Sequence, residues 1–333
     1  MGQKASKTEG ETMKAVIMHG VGGRKFVDDK AKPVIKEGQI LVRVKAAAVN
    51  PVDYKLQKAA LFMPGKVMAV DCAGVVEEVG AKVTGFAKGD RVFGTAAGSL
   101  AEFAKCKSSA MAKIPDSMTF VEAASLPVTF LTAYQGLTNF GYKKGQRLVI
   151  IGASGGAGTA AVIMGRAIGG PDAEIIGICS GKNAEMVKSL GADRIIDYTK
   201  EDPLSVLGKG NVDFVYDAAS FSGGGEDYMK AGKEMITSDG MYVSLNGPLS
   251  SWLRMATGMQ EEQRKIFLAD YSGADLAKIV ELLASSDAKP VIGKVLEFSE
   301  ENVETAYSDL QGRRTKGKIV LTMDADANTS AST

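Results

Sequence analysis

The sequence predicts an α/β protein in two parts, a partly open β-barrel and a doubly wound parallel sheet. Three observations predict it. Short alternating strands separated by turn residues fill the N-terminal third. From about Phe120 the texture changes, and strands alternate with helices. One of those strands runs straight into a glycine-rich turn and then a helix.

The barrel strands begin with Met13-Lys14-Ala15-Val16-Ile17-Met18 and continue with Gln39-Ile40-Leu41-Val42-Arg43-Val44-Lys45. Cys72 to Val79 and Arg91 to Gly94 follow, with turn signals such as Lys88-Gly89-Asp90 between them. Val121 to Leu137 has helical spacing. The parallel strands are then Leu148–Ile151, Ile175–Cys179, Arg194–Asp197, Val212–Tyr216 and Gly240–Leu245, with helices at Thr159–Ile168 and Asn183–Leu190. A helix over Ala274–Ser285 and strand-like pieces at Lys294–Phe298 and Lys318–Thr322 close the pattern. The last two pieces can return to the barrel.

Bulk properties exclude several function classes. The 333 residues exceed what one core usually organises. A net charge of +1, from 40 basic and 39 acidic residues, leaves no electrostatic footprint for nucleic acid. Three scattered cysteines, Cys72, Cys106 and Cys179, argue for a reducing, cytoplasmic setting and against a disulfide framework. The chain has a single histidine, His19, and its cysteines lack C-x-x-C spacing, so no metal site is expected and a histidine-based triad has almost no material. Chemistry must then rest mainly on a bound cofactor.

Residues 1–12 are polar and without apolar periodicity, which predicts a disordered leader. Gly2-Gln3-Lys4-Ala5-Ser6 also fits the N-myristoylation pattern; one such chain would give weak, reversible peripheral association with a membrane, an organelle envelope included. Residues 324–333 read as a frayed polar tail.

The turn after Leu148-Val149-Ile150-Ile151 carries Gly152, Gly155, Gly156 and Gly158. Aligned with G-x-G-x-x-G it reads Ala153-Ser154-Gly155-Gly156-Ala157-Gly158, with alanine in the first position and Gly152 just before it. Backbone N–H groups at the start of a helix can cradle a pyrophosphate in this context. A site for NAD places a carboxylate near the end of the second strand; here the strand ends Cys179-Ser180-Gly181-Lys182, with no carboxylate until Glu185. Ser180 and Lys182 would accept a 2′-phosphate, so NADPH is the expected cofactor.

Together these features resemble the medium-chain dehydrogenase/reductase superfamily, and within it the zinc-independent quinone oxidoreductase branch, including chloroplast-envelope-type homologues. The resemblance covers roughly residues 13 to 323. It rests on Asn50-Pro51-Val52-Asp53-Tyr54-Lys55, Val70-Asp71-Cys72-Ala73-Gly74-Val75-Val76, Gly85 to Val92, Leu131-Thr132-Ala133-Tyr134, the glycine turn and Gly317-Lys318-Ile319-Val320-Leu321. It implies a GroES-like catalytic domain at residues 13–128 and 270–323, a Rossmann NADPH-binding domain at residues 129–269, and a homodimer.

By the same resemblance Asn50 would sit near the nicotinamide with Thr132 and Asn246 lining that pocket. Ser154, Gly155, Gly156, Ala157 and Gly158 would approach the pyrophosphate. Ser180, Lys182 and Tyr198 would face the 2′-phosphate, with Arg313 reaching in. The implied reaction is hydride transfer to a quinone or to the activated alkene of an enal or enone. Some relatives carry a tyrosine where this chain has Lys55, and Tyr54 stands one position earlier; the proton is expected from water, Tyr54 or Lys55. Ser250 to Lys265, with Trp252 and Met255, matches nothing in the pattern. Two other readings compete: an enoyl-thioester reductase of the same fold, and a non-catalytic NADPH-binding module at a membrane surface.

Overall fold

A computed structural model describes residues 11–57, 64–223, 225–313 and 315–328. The myristoylation pattern at Gly2 and most of the leader lie outside the described residues, as does the tail beyond Asn328. Glu11 and Thr12, expected in the leader, are described, and Thr12 opens the first strand.

In chain order the elements are β1 (Thr12–His19), β2 (Gly23–Ala31), β3 (Gln39–Val49), α1 (Pro51–Gln57), β4 (Asp71–Val79), β5 (Arg91–Thr95), β6 (Phe103–Lys107) and β7 (Met111–Lys113). There follow α2 (Phe120–Ala124), α3 (Pro127–Thr138), β8 (Leu148–Ile151), α4 (Gly156–Gly169), β9 (Ile175–Cys179), α5 (Ala184–Ser189), β10 (Arg194–Asp197) and α6 (Pro203–Leu207). The chain continues through β11 (Val212–Asp217), α7 (Met229–Met235), β12 (Ile236–Ser244), α8 (Leu249–Ala256) and β13 (Arg264–Ile266). It ends with α9 (Gly273–Ser286), β14 (Ile292–Glu297), α10 (Glu300–Gln311) and β15 (Lys318–Thr322). The helical stretch expected over Val121 to Leu137 is two helices. The first is closed by a Thr119–Glu122 capping box, and the second starts at Pro127, which has no N–H to continue the ladder.

The chain divides into two compact units. The first comprises Met1–Pro127, Tyr271–Ala274 and Lys294–Thr333; the second comprises Val128–Asp270 and Asp275–Gly293. The sequence-based boundaries place all of 270–323 in the first, whereas most of α9 groups with the second. Gln135 of α3, in the second unit, donates from Nε2 to Asp275 Oδ2 in the first turn of α9 at 2.8 Å, and Leu276, Ile279 and Leu283 of α9 are buried.

The first unit is built on antiparallel pairing. Its main sheet runs β14-β15-β3-β4-β5-β7, with β6 also paired to β3, and β1 and β2 form a separate hairpin. Its core joins alternate residues of several strands, among them Val42, Val44, Val76, Val92, Ile319 and Leu321, with Tyr307 from α10. Two register shifts between β3 and β4 bend the sheet, as bulges do where a barrel must curl.

The second unit is a six-stranded parallel sheet in the order β10-β9-β8-β11-β12-β13. Numbered within the unit this is 3-2-1-4-5-6, the doubly wound dinucleotide order, and the topology reverses beside β8. All four residues of β8 and all five of β9 are buried, as expected for parallel strands covered on both faces.

Candidate active site

In the second unit, the turn between β8 and α4 sits at the switch point. Gly152 has φ +79°, a left-handed conformation that disfavours any side chain. A Cβ on Gly158 would lie 2.1 Å from the Gly152 carbonyl oxygen and 2.8 Å from Ala153 Cα. Gly152 therefore makes the tight turn, one residue before the aligned first position, and Gly158 allows helix and turn to close-pack. Gly155 is the N-cap of α4 and supplies no capping side chain. Among the described residues no acceptor takes the N–H of Gly156, Ala157 or Gly158. Three backbone donors at the positive end of a 14-residue helix are thus left for an anion. These features fit a dinucleotide pyrophosphate.

Asp217, at the end of β11, braces this turn. The buried carboxylate accepts from the backbone N–H of Ala219 and Ser220 at 2.9 Å each, from Ser220 Oγ at 2.5 Å and from the Tyr242 hydroxyl. Ala219, so held, comes within 3.1 Å of where a Gly152 Cβ would stand. Replacing Gly158 with alanine is expected to cost about 1–3 kcal/mol through overpacking against backbone that cannot yield. Thermal melts should report that loss, and an NADPH titration the weakened cradle.

Ser180, Gly181 and Lys182 follow β9, the last two in a single 3-10 turn. Ser180 Oγ accepts from Asn183 Nδ2 at 3.3 Å, and Lys182 is exposed with no ion-pair partner among the described residues. Sequence order hid one neighbour. Asp197, from the end of β10, lies where a Cβ on Gly181 would meet Oδ2 at 2.4 Å. Its charge is engaged by Thr199, whose N–H and Oγ1 donate at 3.1 and 2.7 Å, and by the Gly181 N–H; these hydrogen bonds lower its pKa. Tyr198 follows it and is exposed. Thr132 lies on α3 with its hydroxyl donating to the Val128 carbonyl at 2.6 Å, and Asn246 follows β12, its carbonyl accepting from Ser244 Oγ at 2.5 Å.

In the first unit, strand register gathers residues that are far apart in sequence. Asp71 stands opposite Ala48 in the β3–β4 ladder, and Ile319 opposite Val49 in the β15–β3 ladder. Asn50, Asp71 and Lys318 therefore meet at one end of three adjacent strands. Lys318 Nζ donates to Asn50 Oδ1 at 2.5 Å, to Asp71 Oδ2 at 3.0 Å and to the Val49 carbonyl at 3.3 Å. Asn50 Nδ2 donates to the same Asp71 oxygen at 2.8 Å. All three side chains are buried.

Asp53, in the first turn of α1, reaches back to accept the Asn50 backbone N–H at 2.7 Å, and its Oδ1 has no hydrogen-bond partner. Burial pushes its carboxyl up to about 7; the Asn50 N–H and the Lys318 ammonium oppose the rise and Asp71 reinforces it. The Tyr307 hydroxyl is buried nearby, also without a full hydrogen bond, and burial pushes its pKa well up.

Tyr54 is half-buried and packs on the core; burial raises its pKa, with the Arg313 charge acting the other way. Lys55 is on the surface of α1, where partial desolvation lowers its pKa. Arg313 belongs to this first unit, just after α10, with φ +54°. Its electrostatic influence on Tyr54 is a feature the sequence did not announce. Among the described residues no group of three or more His, Cys, Asp or Glu could hold a metal ion, and the three cysteines are free and buried.

A doubly wound sheet with an open, glycine-lined helix N-terminus, joined to an antiparallel GroES-like unit, defines a pyridine-nucleotide-binding dehydrogenase fold. Comparison with known proteins agrees. The alcohol dehydrogenase GroES-like domain family matches residues 36–116, and the zinc-binding dehydrogenase family matches residues 190–321. A 2-methylene-furan-3-one reductase of Solanum lycopersicum is 35% identical, covering 89% of this chain and 75% of the relative. The NADPH-dependent alkenal/one oxidoreductase of Arabidopsis thaliana is 31% identical over 93% of this chain and 79% of its own. The quinone oxidoreductase structure from Coxiella burnetii superposes with a TM-score of 0.82 at 25% identity, covering 94% of this chain and all of the other. The chain belongs to the medium-chain dehydrogenase/reductase superfamily, and it is an oxidoreductase. No helix among the described residues is long and apolar enough to cross a membrane.

Proposed function

We propose that this protein uses NADPH to reduce a quinone or the carbon–carbon double bond of an enal or enone. The observation that carries the reading is the uncapped start of α4, with three unclaimed N–H groups at the switch point of the sheet. The exposed Lys182 beside Ser180 supports a phosphorylated cofactor over NADH. The named activities of the tomato and Arabidopsis relatives support an activated alkene as acceptor, and the Coxiella protein a quinone.

When bound, NADPH supplies the hydride. The N–H groups of Gly156, Ala157 and Gly158 hold the pyrophosphate, with Ser154 and Gly155 in the same turn, and Ser180, Lys182 and Tyr198 receive the 2′-phosphate. Arg313 is a further candidate for that phosphate. Asn50, Thr132 and Asn246 orient the nicotinamide, and protein that excludes water strengthens each of these polar contacts. An acceptor oxygen that gains charge needs a proton. Tyr54, half-buried with its pKa raised by burial, and Lys55, with its pKa lowered by partial desolvation, are the two side chains proposed to deliver it, with water as the alternative.

Turnover with panels of quinones, enones and an enoyl-thioester, each with NADPH and NADH, tests the reading. NADPH-selective reduction of quinones or enones is expected; preference for the thioester, or binding without turnover, would displace it. If Tyr54 or Lys55 is the donor, Tyr54→Phe or Lys55→Met lowers kcat by about 10²-fold or more. Unchanged kcat in both leaves water as the proton source.

A further inference from the structure

The buried charges beside Asn50 have no evident role in folding a sheet, where apolar residues would pack as well. Lys318 and Asp71 are 5% and 0% exposed, and their side chains are 247 positions apart in sequence. Between them lies the Asn50 carboxamide, and its two ends are chemically opposite. The oxygen faces the ammonium at 2.5 Å and the nitrogen faces the carboxylate at 2.8 Å. Rotating the amide by half a turn would set its N–H groups against the ammonium and its oxygen against the carboxylate. Both contacts would become repulsive, and in a dry site that preference is strong. One Nδ2 hydrogen is used by Asp71, and among the described residues no acceptor takes the other.

We infer that Lys318 and Asp71 form a positioning pair that locks Asn50 in one amide orientation, so that its free Nδ2 hydrogen is presented as a donor to an acceptor oxygen of the nicotinamide nucleotide. The inference deepens the cofactor reading of Asn50 and rests on it for the identity of the ligand. It commits the site to a ligand group that accepts: a carboxamide carbonyl or a ribose hydroxyl oxygen. Neither charged side chain needs to touch the nucleotide. Asn50→Asp would replace the donor with an acceptor and place a second carboxylate on the first.

The test is a double-mutant cycle between Asn50→Ala and the charge-neutral pair Lys318→Gln/Asp71→Asn, read in NADPH affinity by titration and in kcat. Removing both charges avoids stranding one of them, the change most liable to prevent folding. Loss of one oriented, desolvated donor is expected to weaken NADPH binding roughly tenfold in each arm. Combining the arms should cost no more than either alone, because both act through the same hydrogen. Additive losses, or wild-type affinity in the neutral pair, would overturn the positioning role.

A ligand-free readout separates this from the cofactor reading. The Asn50 side-chain amide signals, assigned by their disappearance in Asn50→Ala, should show one hydrogen protected from exchange in the wild type. In the neutral pair that protection should be lost. Protection retained there contradicts the inference even if NADPH turns out not to bind. Protection lost there, with no nucleotide bound by the wild type, would refute the cofactor reading while leaving the locked amide intact.

Discussion

Reversing the charge at Lys182 should cut kcat/KM for NADPH by roughly 10- to 150-fold, the worth of one charge-assisted hydrogen bond of about 1.5–3 kcal/mol. The same Lys182→Glu change should leave kcat/KM for NADH within a few-fold, because NADH carries no 2′-phosphate. Lys182 is exposed and makes no ion pair among the described residues, so substitution breaks no ion pair there and the fold should be unaffected. Asp197 sharpens the expectation. It already brings one carboxylate against Gly181, and a second carboxylate at 182 would add repulsion toward a phosphate. Steady-state kinetics with both cofactors read the effect; equal losses for NADPH and NADH would remove Lys182 from the phosphate site.

The second large effect is on stability against pH. A buried Asp53 carboxyl moved from its ordinary 3.8 to about 7 corresponds to about 4 kcal/mol between its two protonation states, an order-of-magnitude figure. The raised value fixes the sign: the folded state holds the proton more tightly than the unfolded chain does. This group therefore favours the fold most below pH 4, and the contribution is lost as pH rises from about 4 to about 7. The groups that face it include the Asn50 N–H, Asp71, Lys318, Tyr307 and Tyr271. Asp53→Asn keeps an oxygen for the Asn50 N–H and removes the titration. The variant should gain on the wild type across that window and stay ahead at higher pH. Denaturant midpoints measured from pH 5 to pH 9 give the difference, in which the other carboxylates cancel. A difference that does not change with pH would show that Asp53 is ionised throughout.

Local signals made much of this legible from sequence. Four glycines after a four-residue apolar strand can hardly be anything but a tight strand-to-helix turn, and Gly152 and Gly158 are glycine for the reasons of angle and contact found there. The last helix carries a local signal as well. In α10, Val303, Ala306, Tyr307 and Leu310 recur at helical spacing behind the Ser299 cap. The edge strand β13 was not legible, since three residues, Arg264-Lys265-Ile266, carry no period.

The Asn50–Asp71–Lys318 cluster was half visible. Asn50 lies in a recognisable motif, but Lys318 stands 268 positions away and joins it only through the pairing of β15 with β3. Asp197 was hidden in the same way. The end of β9 carries no carboxylate of its own, and only its pairing with β10 brings one against Gly181. Periodicity reports what a segment does with its own neighbours, whereas sites assembled by strand register draw on residues that no spacing connects.

The most direct test of the central claim follows the hydride itself. NADPH carrying deuterium at C4 of the nicotinamide, on either face, would be consumed with an enone, and the product analysed by mass spectrometry. The account predicts one deuterium at the β-carbon from one of the two labelled faces and none from the other. A product without deuterium from either face, or NADPH left unconsumed by every enone and quinone supplied, would contradict it.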